Sequence, residues 1–96
     1  MNTRTKIVSA ERVRELAQGK RVRWVRGRFD PLLAEHARRL AALAGLEHLL
    51  VVVILDSRHG LLPREARAEL VAALAVVDYV TLDPAEGEDL NDEARF

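Results

Sequence analysis

A small α/β domain, a three-stranded parallel sheet with flanking helices, is the fold class this sequence predicts, and three observations carry it. Segments with helical spacing of apolar residues alternate three times with short β-branched segments, the order that calls for a parallel sheet with right-handed crossovers. The run "EHLLVVVILD" (47–56) shows no polar alternation at its centre, the pattern of a strand covered on both faces. Pro31 and Pro63 open the two strongest helical patterns, at a position where a missing N–H costs nothing.

The elements follow in order. Ser9 is a good N-cap for "AERVRELAQG", in which Val13, Leu16 and Ala17 share one face and Gly19 ends the helix. "KRVRWVRG" reads as a strand ending at Gly27, with Val22, Trp24 and Val25 as its apolar content. Arg21 and Arg23 alternate onto the face of Val25, and Arg26 onto that of Val22 and Trp24. So charged a strand suits a sheet edge, guarded by its arginines or covered by a partner. In "PLLAEHARRLAALAG", Asp30 is the expected N-cap and Pro31 the first helical residue. Leu33, Ala37, Leu40, Ala41 and Leu43 or Ala44 form its buried stripe, and Gly45 ends it. "PREARAELVAALAVV" gives a third helix and "DYVTL" a third strand. The remainder, "DPAEGEDLNDEARF", is acidic and without periodicity, so residues 1–82 are expected to form the domain and 83–96 a flexible tail.

Ninety-six residues make one small domain, and the absence of cysteine rules out disulfides and thiolate metal sites. The N-terminus has no apolar signal core and no apolar stretch is long enough for a bilayer, so a cytoplasmic protein without a membrane partner is expected. Net charge is zero, yet eleven of the fifteen Lys and Arg lie in residues 1–40 and eleven of the fifteen acids in 41–96. That division favours charge matching within or between chains over an anionic partner. A nucleic-acid role for the arginine-rich strand is disfavoured by the acidic tail and by the lack of stacking aromatics beyond Trp24, which is assigned to the core. Glu35 with His36, and Glu47 with His48, are adjacent pairs that point apart, so neither is expected to share a metal.

In open parallel sheets, ligands lie beyond the carboxyl ends of the strands. Here those ends are "GRFD" (27–30), "DSRHG" (56–60) and "TLDP" (81–84). With "KIVSAERVRELAQGKRVRWVRGRFDPLLAEHARRLAAL" and "PREARAELVAALAVVDYV", the chain from about Lys6 to Leu82 resembles the HxGH-type nucleotidyltransferases, the cytidylyltransferase-like superfamily. It is similar above all to the heptose-phosphate adenylyltransferase and glycerol-3-phosphate cytidylyltransferase group. The resemblance implies a Rossmann-like parallel sheet with flanking helices, in a minimal three-stranded version of the nucleotidyltransferase fold. It also implies transfer of AMP or CMP from ATP or CTP, with Mg²⁺, to a sugar or polyol phosphate. Such a reaction asks the protein for positioning and charge stabilisation, with no covalent nucleophile.

Carried over residue by residue, Gly27, Phe29 and Asp30 match the family's G-x-F-D, His36 its last imidazole and Arg67 its helix arginine. Arg58 offers a replacement positive charge, so these six are the expected nucleotide-binding residues. Leu33 stands where His or Thr is expected, and Glu35 where Gly is expected. Leucine cannot donate to a phosphate, and a carboxylate at position 35 repels one. The loop after the second strand also lacks the family's lysine. The expectation is therefore a degenerate nucleotidyltransferase-like protein, a pseudoenzyme serving as a binding or assembly module. The alternative is an active enzyme completed by another subunit. Because the family's further strands would flank the first strand, a homodimer through that strand's edge is expected.

Overall fold

A computed structural model describes residues 3–29, 32, 34–55, 62–82 and 93–95. After a 3-10 helix at Thr3–Lys6, the chain forms α1 (Ala10–Ala17), β1 (Arg21–Gly27), α2 (Ala34–Leu43), β2 (His48–Ile54), α3 (Arg64–Ala72), β3 (Tyr79–Thr81) and β4 (Glu93–Arg95). All strand pairs are parallel, and the sheet order is β3-β2-β1-β4. A small α/β fold is thus what the chain adopts.

Pairing of β1 with β2 runs from Arg21 opposite His48 to Gly27 opposite Ile54. With a side-chain period of two, this register stacks Val25 beside Val52, and Trp24 beside Val51, on opposite faces. On the Val25 face, Leu40 of α2 and Ala68, Val71 and Ala72 of α3 close over Leu50, Val52, Ile54 and Val80. On the Trp24 face, Ala10 and Val13 of α1 pack with Val51 and Val53. Leu50 to Ile54 are all 1% exposed or less, as their unbroken apolar run requires. Fully burying each such side chain stabilises by about 1.5–3 kcal/mol.

The element ends show local chemistry at work. Ser9 caps α1, its Oγ accepting from Arg12 N at 3.0 Å. The chain leaves α1 through two left-handed residues, Gln18 (φ 50°) and Gly19 (φ 86°), the second at no steric cost. Pro63 precedes α3, and its carbonyl accepts from Arg67 N at 3.1 Å. At the start of β3, Asp78 Oδ2 accepts from Leu50 N at 2.7 Å while Asp78 N donates to Leu50 O at 2.9 Å. That exchange locks the third strand to the second.

Several expectations change. The sheet has four strands, because the segment expected to be a flexible tail contributes β4, which pairs Glu93, Ala94 and Arg95 with Trp24, Val25 and Arg26. The edge of β1 on which a second copy was expected is therefore taken, at those three residues, by the chain itself, and the ground for a homodimer there is removed. The third helix ends at Ala72 rather than running to Val77, and turns carry the chain on to β3. The second helix starts at Ala34, three residues after Pro31; Asp30, Pro31 and Leu33 lie outside the described residues. Among the described residues of its stripe, Leu40 is the fully buried one, while Ala41 is exposed. Gly45 lacks a left-handed backbone. A Cβ there would stand 2.8 Å from His48 Cε1, so glycine makes room for an imidazole whose Nε2–H donates to Leu43 O at 2.8 Å, on the last turn of α2.

Candidate functional site

The sheet order reverses between β1's two neighbours: β2 follows it in sequence on one side, and β4 lies on the other. The junction from β1 into α2, with the "GRF" of residues 27–29, begins at the carboxyl end of β1, beside this reversal. Gly27 is buried, and its carbonyl accepts from Leu55 N at 2.9 Å, which carries the β1–β2 ladder one residue past β2. Phe29 follows with a left-handed φ of 49° and only 2% exposure. Its ring folds back over Gly27, where a Cβ would lie 2.5 Å from Phe29 Cε2 and 2.8 Å from Cζ. It also meets the half-buried imidazole of His36 edge-on, with centroids 5.3 Å apart and planes at 82°. Gly27, Phe29 and His36 are therefore brought together.

Glu35 occupies the first turn of α2 and is exposed. A carboxylate there complements the positive end of the helix dipole, so the charge that would attract a phosphate is already shared. This gives Glu35 a structural use and weakens the site for anions in one stroke.

Arg67 is placed differently from expectation. It is 2% exposed, on the buried stripe of α3 beside Ala68 and one turn before Val71. Its Nη1 donates to Arg28 O at 2.7 Å and Leu55 O at 2.8 Å, and its Nε donates to Leu62 O at 3.2 Å. The guanidinium thus ties together the chain after β1, the chain after β2 and the approach to α3. Two of its three nitrogens are engaged with backbone carbonyls, the work of a staple. An arginine in register with an apolar helical stripe is the signal that foretells such burial. Arg58 and Asp30 lie outside the described residues, as do Asp56, Ser57 and His59.

Among the described residues, no group of three or more His, Asp or Glu side chains could hold a metal ion, and no helix is long and apolar enough to cross a membrane. A separate groove of about 320 Å³ lies where Arg4 and Ile7 face Glu65, Ala68 and Glu69 of α3 and Leu82 beyond β3. An Arg4–Glu69 ion pair spans part of it. No protein-family model and no curated protein matches the chain.

Proposed function

We propose that the protein is a degenerate member of the nucleotidyltransferase-like class, built on a Rossmann-like sheet. It serves as a module that binds a phosphate-bearing nucleotide at the β1–α2 junction without transferring its nucleotidyl group. The observation that supports this reading is the placement of "GRF" and His36 beside the reversal in a 3-2-1-4 parallel order, the position at which doubly wound sheets bind ligands. His36 and the N-terminal amides of α2 supply donors there. Two features argue against transfer chemistry. Arg67 spends its Nε–H and both Nη1 hydrogen bonds on carbonyls, leaving fewer donors for a leaving pyrophosphate, and Glu35 sets a negative charge on the same helical turn as His36. Mg²⁺ would arrive coordinated by the triphosphate itself, since the described side chains offer no cage for it.

Titration calorimetry with ATP and with CTP, each with Mg²⁺, tests the reading on the wild-type chain and on His36→Ala. Saturable heat that His36→Ala abolishes is the expected result, with no pyrophosphate released when sugar or polyol phosphates are added. Absence of heat at millimolar nucleotide would overturn the binding role. Pyrophosphate release would overturn the degenerate one.

A further inference from the structure

The geometry of the β1–α2 junction points to a three-part positioning device: Gly27 seats the Phe29 ring, and the ring fixes the orientation of the His36 imidazole. This inference deepens the proposed binding role and rests on it for its consequence, though not for its geometry. A bulky residue at φ 49° is unusual, because a left-handed backbone crowds Cβ against the following carbonyl. Such conformations persist where the surroundings over-determine them, and they gather at functional sites.

Here the surroundings are specific. The Phe29 ring is packed into the cluster that holds Val25, Leu40 and Ile54. It also fills the space over Gly27 that a side chain would need, with its Cε2 2.5 Å from the point where a Cβ would stand. Gly27 has no positive φ, so the reason for glycine at this position is steric. From that seat the ring reaches across to the first turn of α2 and meets His36 at 82° and 5.3 Å. An imidazole held against a fixed ring keeps fewer rotamers, so binding has less side-chain freedom to remove.

Phe29→Leu removes the ring and keeps an apolar core residue. Gly27→Ala keeps the ring and drives it from its seat. Phe29→Tyr restores the ring and serves as the rescue. The readout is NMR of the His36 imidazole, first without ligand and then titrated with ATP–Mg²⁺, with the remaining backbone amide signals confirming that each variant is folded. Expected are a ring-current displacement of the His36 ring protons in wild type and Phe29→Tyr that both other variants lose, and an ATP affinity weakened roughly fivefold in those two.

Unchanged His36 ring signals in Gly27→Ala and Phe29→Leu would overturn the positioning role, whatever ATP does. Wild-type affinity in both variants would overturn its consequence for binding. If ATP moves no wild-type signal, the binding role proposed above fails, and the ligand-free ring signals still decide the positioning. Should either variant fail to fold, the other decides, because one deletes the ring and the other only displaces it.

Discussion

Arg67 has a full charge at 2% exposure and, among the described residues, no carboxylate paired with it. Three carbonyls carry the compensation, those of Arg28, Leu55 and Leu62. Arg67→Met keeps most of the volume but deletes three hydrogen bonds made by a buried charged donor, each contributing about 1–3 kcal/mol. Urea denaturation should therefore show a loss of about 3 kcal/mol or more, with Arg67→Lys recovering part of it, since an ammonium lacks the planar fork. A loss in Arg67→Met below about 0.5 kcal/mol, the range of neutral surface changes, would show that the staple carries no weight. His48 and Gly45 make a second residue-scale case. Gly45→Ala pushes a Cβ to 2.8 Å from His48 Cε1 and should cost about 1 kcal/mol, through the ring's hydrogen bond to Leu43 O that it displaces. In a His48→Ala background the same change should cost little, because the atom it strikes is gone. Additivity in that double-mutant cycle would mean that Gly45 is there for another reason.

At the scale of elements, α1 is the helix that closes over Trp24, and a side-chain bond caps its first turn, Arg12 N to Ser9 Oγ at 3.0 Å. Ser9→Ala should destabilise the protein by about 1 kcal/mol and Ser9→Asp should be near neutral. The single tryptophan, 3% exposed beneath Ala10 and Val13, reports the unfolding by fluorescence. An unchanged midpoint in Ser9→Ala would mean that packing alone holds the helix start. This helix was legible in the sequence because its signals are local: a capping serine, an apolar face at Val13, Leu16 and Ala17, and a terminal Gly19. The five-residue core of β2 was legible for a similar reason, since an unbroken apolar run has few ways to be buried. What was not legible depends on distant partners. Nothing in "EAR" marks a strand, because β4 is defined by backbone pairing to Trp24–Arg26 some seventy residues away. At the site, Gly27, Phe29 and His36 could be named from their order in the chain. The seating of the Phe29 ring over Gly27 could not, because it depends on a left-handed backbone at Phe29, nor could the turning of Arg67 toward carbonyls, which depends on how loops from different elements meet.

For the whole molecule, the uneven charge of a neutral chain does not carry into the strand pairing, since β4 holds one acid and one base and sets Arg95 opposite Arg26. The basic strand β1, with Arg21, Arg23 and Arg26, has as one neighbour a strand drawn from the acidic segment 83–96. Removing residues 93–96 would leave that side of β1 with open backbone donors and acceptors, a template for strand pairing between two copies. Pairing two β1 edges would bring like arginines together, and their repulsion at low ionic strength opposes the contact. Salt shortens the Debye length from about 30 Å at 0.01 M to about 3 Å at 1 M and relieves that repulsion. Sedimentation velocity should therefore find the chain lacking 93–96 monomeric in dilute buffer and increasingly associated as salt rises. The full chain, its edge occupied at Trp24–Arg26, should keep one sedimentation coefficient throughout. Association that weakened with salt would point to attraction between basic and acidic regions of different copies instead. No association at any salt would mean that the three arginines protect the edge of β1 without help from β4.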